Sequence, residues 1–439
     1  MKKNSELLEK IKVRWRKLKY IRPAFWWLYR RRPAAYVRKI RTRHWRRKVF
    51  PEIYHAEAVK GIDERLAVFI ELRYDHLSDN LRLIYERMSA DARFDAEAYC
   101  TNSSQKRRFE LYEDMKTAIA RMGRAKYVFI TDGSAVIGSL PLRRETVLVQ
   151  VWHACGAFKR FGMSTAKLGL TFGASEKTQM KYPPYGNVNF ITVSSPEVAW
   201  AYAEAMNRPL EYVHATGVAR TDLFYDVHRK QQAFEALYER FPAAKGKKVI
   251  LFAPTYRGHV RTCTTVDKLR VDLFAEALKD EYVLVIKHHP LVKDLPEIPA
   301  EYDGTFAIDV TRDMDITDLL FTSDICITDY SSLIYEYSLF ERPMIFFAYD
   351  LEEYYDWRGF YYPYEELTPG PVCRTNEEML DYIRHIDERF DRGAVHAFKE
   401  RFMSACDGHA TDRIIASVTE EGSRRRKRRT YKEKPENKR

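Results

Sequence analysis

The sequence predicts an α/β protein built from two Rossmann-like domains that face each other across a cleft. Three observations carry this. Short apolar runs recur with helical patterns between them, and the runs end in polar residues. The runs are nearly continuous rather than alternating, as in strands buried on both faces of a parallel sheet. A polar break around 235–247, with the segment ERFPAAKGKK, divides the runs into two sets.

In the first set, AVFIEL (67–72), KYVFITDG (126–133), ETVLVQVWHACG (145–156), NVNFITVSS (187–195) and EYVHATG (211–217) read as strands. SDNLRLIYERM (78–88) reads as a helix capped by Ser78 or Asp79. In the second set the strands are VILFAP (249–254), YVLVIKHHP (282–290), TFAIDV (305–310), ICIT (325–328) and MIFFAY (344–349). Helical patterns from Asn376 to about Thr419 are expected to close the second domain. The expected division is a basic aromatic arm (1–50), a first domain (51–240), a second domain (245–420) and a basic tail (421–439).

Charge is distributed unevenly. The formal net charge of the 439 residues is +12, but residues 1–50 carry +17 and residues 423–439 carry +8, which leaves the body between them at −13. The arm mixes its cations with Trp15, Tyr20, Phe25, Trp26, Trp27, Tyr29 and Trp45, a composition suited to the headgroup layer of an anionic membrane. Such arms also suit nucleic acid, the reading from outside enzymology. The RRRKRR tail (424–429) is low in complexity and expected to be disordered. Six scattered cysteines without CxxC or Cys/His ligand spacing exclude a disulfide framework and a structural zinc, and fit a reducing compartment. No uncharged run reaches about 18 residues, and no secretory apolar segment follows the charged start. The expectation is a cytosolic protein at a membrane surface.

The chemistry gathers at strand ends. After ICIT, Asp329 and Tyr330 make a turn, and Ser331 and Ser332 fall where a helix N-cap is expected, so amides and hydroxyls face the crevice as an anion site. Thr255 and Arg257 follow one neighbouring strand, and His288 and His289 another. Glu336 lies one helical turn beyond Ser332, where a carboxylate can accept from ribose hydroxyls. No paired carboxylates sit at a strand end near these groups, so the reading is anion stabilisation by dipole, Arg and His, with no metal and no cofactor. His153 ends a strand of the first domain. A histidine titrates near neutral pH, and that suits it to take the proton of an alcohol.

Seven blocks in order then resemble the CDP-glycerol:poly(glycerophosphate) glycerophosphotransferase family, over most of residues 65–415. SDNLRLIYERM resembles its "sDN…iye" block, VQVWHACGAFKRFG its "QtWHGtplKklG", TGVARTDLF its "GxPRxD", LFAPTYRG its "yAPTwR" and IKHHP its "lrxHP". The longest block is DLLFTSDICITDYSSLIYEYSLFERPMIFFAYDLEEY, and DGHATDRI resembles the last. The resemblance implies a GT-B-like fold and transfer of glycerol phosphate from CDP-glycerol to a hydroxyl of a lipid-linked polyprenyl-diphosphate glycan, with release of CMP. By the same resemblance His153 is the candidate base and Lys159 the motif lysine. His289, Arg257, Ser331 and Ser332 hold the diphosphate beside Thr255 and Asp329, and Glu336 meets ribose or glycerol. It also implies work at the cytoplasmic face of the membrane, with no nucleic acid as partner. Three departures stand out: Ala154-Cys155-Gly156 replaces Gly-Thr-Pro, Ala219 replaces Pro, and Glu336 replaces Asp. They leave room for CDP-ribitol as donor, for a priming role, or for a nucleotide-sugar glycosyltransferase.

Overall fold

The computed structural model describes residues 33–432 except 104, 169–173 and 259–262. The aromatic positions from Trp15 to Tyr29 lie outside the described residues. Helix α1 (Pro33–His44) passes through a π-helical turn (Trp45–Val49) into α2 (Phe50–Ala58). Trp45, expected among the membrane-facing aromatics, is instead 7% exposed. It packs on Phe50 and Tyr112 at ring separations of 5.2 and 5.7 Å, so it anchors the arm to the first domain. A Trp within a cationic run looks alike in sequence whether it meets lipid or a core.

The first domain contains β1 (Asp63–Glu71), α3 (Asp79–Ser89), β2 (Asp95–Cys100), α4 (Arg108–Met122), β3 (Ala125–Ile130), β4 (Val147–Gln150), α5 (Gly162–Lys167), α6 (Glu176–Lys181), β5 (Phe190–Thr192), α7 (Ala199–Met206) and β6 (Val213–His214). Its parallel sheet runs β2-β1-β3-β4-β5-β6. A 3₁₀ stretch (Ala219–Tyr225) leads to α8 (Val227–Arg240). The second domain follows with β7 (Lys248–Phe252), α9 (Val271–Leu278), β8 (Tyr282–Ile286), β9 (Ala307–Asp309), α10 (Ile316–Thr322), β10 (Ile325–Thr328), α11 (Leu333–Ser338), β11 (Met344–Phe347), α12 (Leu351–Arg358), β12 (Val372–Cys373), α13 (Asn376–Arg384), α14 (Ile386–Arg389), α15 (Arg392–Met403) and α16 (Ala410–Lys432). Its parallel sheet runs β12-β11-β10-β7-β8-β9.

Each order has a switch point where successive connections leave in opposite directions, between β1 and β3 in one sheet and between β7 and β10 in the other. The second is the six-strand dinucleotide-binding order; the first is flavodoxin-like. The predicted strands fall where expected. ICIT and MIFF are wholly buried, as both faces of a parallel strand covered by helices must be.

Three features of the fold differ from the expectation. Strand β2, DAEAYC, is a half-exposed edge with an acidic, alanine-rich sequence that carries no strand signal. The last helix does not close the second domain: Ile414, Ile415 and Val418 join the core of the first with Phe69, Leu81, Phe129 and Val149. The tail is not disordered through 424–429, because α16 continues to Lys432. Ion pairs at i,i+4 spacing, Glu420–Arg424 at 2.6 Å and Glu421–Arg425 at 2.7 Å, support it, and Arg425 Nη1 donates to the Arg144 carbonyl at 3.1 Å.

Candidate active site in the interdomain cleft

In the second domain the crevice between β7 and β10 is filled by Arg257. Its Nε and Nη2 donate to the Asp350 carboxylate at 2.6 and 3.0 Å, and Nη1 donates to the Thr255 carbonyl and hydroxyl at 2.8 and 3.0 Å. Nη1 also lies 2.9 Å from Asp329 Oδ2. Burial works against the charge, but the Asp329 and Asp350 carboxylates outweigh it and hold the guanidinium pKa above its ordinary value. Tyr330 completes this plug by donating from its hydroxyl to Asp350 at 2.9 Å and stacking on Tyr354. Asp329 is 1% exposed and its Oδ1 accepts from the Thr255 and Tyr330 amides at 2.8 and 2.6 Å. Thr255, Arg257 and Asp329 are thus tied to one another, and the expected diphosphate contact by Arg257 meets a guanidinium engaged by protein carboxylates. The sequence shows a lone arginine because Asp350 lies 93 residues away.

The serine turn follows directly. Ser332 occupies the N-cap position of α11 without a side-chain cap bond, and the Ser331 hydroxyl accepts from the Leu333 amide at 3.3 Å. Both serines are half-buried at the cleft. Glu336, one turn on, is 4% exposed and faces the first domain. It is ion-paired with Arg220 of the 3₁₀ stretch, and the Cys155 thiol lies 3.7 Å from its Oε1. A buried carboxylate needs such a partner; alone it would stay protonated.

On the first domain His153 follows β4. Its Nδ1 lies 3.3 Å from Asp132 Oδ1, and Arg73 Nη2 donates to the same carboxylate at 2.7 Å. Burial pushes the Asp132 carboxyl up, but the adjacent His153 imidazole and the Arg73 guanidinium outweigh it, leaving its pKa below the ordinary value. The preceding residue, Trp152, has a positive φ of 57°, a conformation that costs a bulky side chain on the order of 1–3 kcal/mol. It is held there by its amide on Gln150 Oε1 at 3.1 Å and by Asn80 Nδ2, which donates to its carbonyl at 3.0 Å. The indole stacks on His153 at 4.1 Å and on Phe161 at 4.7 Å.

The same loop carries the domain interface. Gly156 has φ of 60°, and any Cβ there would overlap the ring of Tyr335 from α11. Phe158 packs edge-on to Phe360 at 5.4 Å, and backbone bonds join Arg160 to Gly359 and Tyr361 to Phe158 at 3.1 Å each. Lys159 Nζ donates to the Tyr354 hydroxyl at 3.0 Å, crossing from one domain to the other. The loop of His153 and Lys159 therefore meets the turn of Ser331, Ser332 and Glu336. His289 accepts from the Leu291 amide at Nδ1, 3.2 Å away, and lies edge-on to Tyr256 at 4.8 Å. His288 is 3% exposed and bonded to Thr265 at 2.7 Å; burial lowers its pKa, and it is a core residue of the strand end.

Asp132, Arg73, Asn80, Cys155 and Arg220 are additions to the expected site. Asp132 was visible as a strand-end acid, and Asn80 and Arg220 lie inside quoted motif blocks. What the sequence lacks is the pairing, since Arg220 and Glu336 are 116 residues apart.

A family model described as CDP-Glycerol:Poly(glycerophosphate) glycerophosphotransferase matches residues 52–420. The chain is 34% identical over 386 residues to a teichoic acid poly(ribitol-phosphate) polymerase of Bacillus spizizenii, covering 87% of this chain and 60% of that one. It is 31% identical over 368 residues to a teichoic acid ribitol-phosphate primase of the same organism, covering 82% and 92%. The chain thus spans less than two thirds of the polymerase's length. Among solved structures, the fold is similar to that of the wall teichoic acid polymerase TagF, with a TM-score of 0.70 at 21% identity over 90% of this chain and 98% of that one. No described helix is long and apolar enough to cross a membrane.

Proposed function

The chain belongs to the CDP-glycerol:poly(glycerophosphate) glycerophosphotransferase family, and from that premise we propose a phosphotransferase of teichoic acid synthesis. It moves glycerol phosphate from CDP-glycerol to a hydroxyl of a lipid-linked glycan and releases CMP. The observation that carries this reading is the meeting of the His153 loop with the Ser331–Glu336 turn across the cleft, held by the Cys155–Glu336–Arg220 contacts.

In the reaction the acceptor hydroxyl attacks the glycerol-bearing phosphorus. The bond from that phosphorus to the bridging oxygen breaks, and CMP leaves with the oxygen and its electron pair. His153 takes the hydroxyl proton at Nε2, while Asp132 at Nδ1 orients the ring and stabilises the imidazolium. The Ser331 and Ser332 hydroxyls, with His289, hold the diphosphate, and Lys159 adds positive charge from the first domain. Thr255, Arg257 and Asp329 act from behind, by fixing the turn. Glu336 contacts the donor's hydroxyls while its ion pair with Arg220 holds the carboxylate in place. Most of the rate enhancement comes from positioning and charge neutralisation.

The names of two relatives, both for ribitol phosphate, favour a second reading in which the donor is CDP-ribitol. CMP release from CDP-glycerol, CDP-ribitol and UDP-sugars in the presence of a lipid-diphosphate disaccharide separates the possibilities. Turnover with CDP-glycerol is expected. Turnover with CDP-ribitol alone moves the assignment to the second reading, and turnover with a UDP-sugar alone overturns both.

We further infer that the basic arm rests on the cytoplasmic face of an anionic membrane, where the lipid-linked acceptor lies. Helix α1 supports this: Val37 and Ile40 are 56% and 52% exposed among Arg38, Lys39, Arg41 and Arg43.

A further inference from the structure

Asn80 lies near the start of α3, is 3% exposed, and touches both arms of the cleft from beneath. Its Nδ2 donates to the carbonyl of Trp152 at 3.0 Å, and its Oδ1 accepts from the amide of Arg220 at 3.0 Å. Trp152 is the left-handed residue just before His153, so the direction of its carbonyl sets the peptide plane from which His153 springs. Arg220 is the residue whose guanidinium reaches Glu336 of the second domain. One primary amide thus grips the backbone of the base loop and the backbone of the arginine arm at once.

We propose that Asn80 is a positioning residue for the transfer reaction, registering His153 on one side and the Arg220–Glu336 pair on the other. Only a side chain with both a donor and an acceptor at this length can serve. Aspartate keeps the acceptor for Arg220 but sets a carboxylate against the Trp152 carbonyl; leucine keeps the shape and loses both bonds. A glutamine head group would sit one methylene too far into a buried site. Once the bond to its carbonyl is lost, Trp152 can relax from positive φ to the extended region, and the peptide rotation carries His153 away from Asp132.

The inference rests on the reading of His153 as base, and the test separates the two. CMP release from CDP-glycerol and CDP-ribitol is measured for wild type, Asn80→Asp, Asn80→Leu, His153→Ala and the double variant Asn80→Asp/His153→Ala, with melting followed by circular dichroism. Asn80→Asp is expected to lower kcat about tenfold or more and to leave the donor KM within about threefold, since the Arg220 bond survives. Asn80→Leu is expected to lower kcat and also raise the donor KM. In the His153→Ala background Asn80→Asp is expected to cost less than about twofold further, because the route through His153 is already gone.

A merely structural role predicts equal losses in both backgrounds together with a lower melting temperature, and that result overturns the proposal. So does an Asn80→Asp variant with wild-type kcat. If Asn80→Leu does not fold, Asn80→Asp, which keeps one of the two bonds, decides by the same comparison. Wild-type protein that releases no CMP from either donor sinks the functional reading itself, and the positioning role falls with it.

Discussion

His153 is fixed by an acid at Nδ1 and an indole across one face, and Nε2 is the nitrogen turned away from Asp132. Replacement by alanine removes the base but leaves the second-domain turn intact. CMP release is then expected to fall by about 10² to 10⁴, with donor binding by calorimetric titration little changed. Asp132→Asn keeps the shape and loses the charge; about tenfold or more in kcat is expected, together with an altered acid response. The Asp132 pKa is depressed in the folded state, so its ionised form favours folding at pH values above the unfolded pKa near 4. That contribution is lost as pH falls through the lower folded pKa. Stability titrations should therefore decline less below about pH 4 for Asp132→Asn than for wild type. At this scale the sequence was partly readable. His153 stands out because it ends a strand, whereas the carboxylates that engage Arg257 come from distant loops and leave it looking like a lone cation. Charge compensation is a tertiary property, and no local spacing reports it.

Among the elements, α11 and the loop after β4 form the hinge of the design. Gly156 allows the ring of Tyr335 to lie directly on the loop, and its positive φ suits no other residue as well. Gly156→Ala is expected to destabilise the folded chain by about 2–4 kcal/mol, seen as a lower urea midpoint at an unchanged slope, and to reduce transfer more than the melt alone would suggest. The strands that were legible are those buried on both faces, such as VLVQ and ICIT. Those that were not are two of the four edges: β2, with two acids in six residues, and β12, two residues long. An edge strand takes its pairing from a neighbour already in place and needs little apolar surface of its own. The helical tail was hidden for a related reason. Its composition suggests disorder, and only the salt bridges and the first-domain surface beneath it make a helix favourable.

Across the whole molecule, a mildly acidic body carries cationic extensions at both ends. Full-length protein is expected to sediment with vesicles containing phosphatidylglycerol, and protein lacking residues 1–32 to bind them far more weakly, with each cation near the surface worth about 1 kcal/mol. Full-length protein that ignores such vesicles would refute the membrane assignment. The two domains are joined by an aromatic interface rather than by a tether, with Phe158, Tyr335, Tyr364 and Phe402 in one continuous core. Small changes in the loop after β4 should accordingly be felt by both domains.

The return of α16 to the first domain has a consequence for biosynthesis. The last strand of the first sheet ends at His214, but Ile414, Ile415 and Val418, which cover Phe69, Leu81 and Phe129, are made some 200 residues later. At about 5–20 residues per second the ribosome takes roughly 10 to 40 s to supply them. During that interval the nascent first domain shows water an apolar face that the finished protein hides. The half of the chain made first is thus completed last, and it is the N-terminal domain that a premature stop near the C-terminus would leave exposed to aggregation.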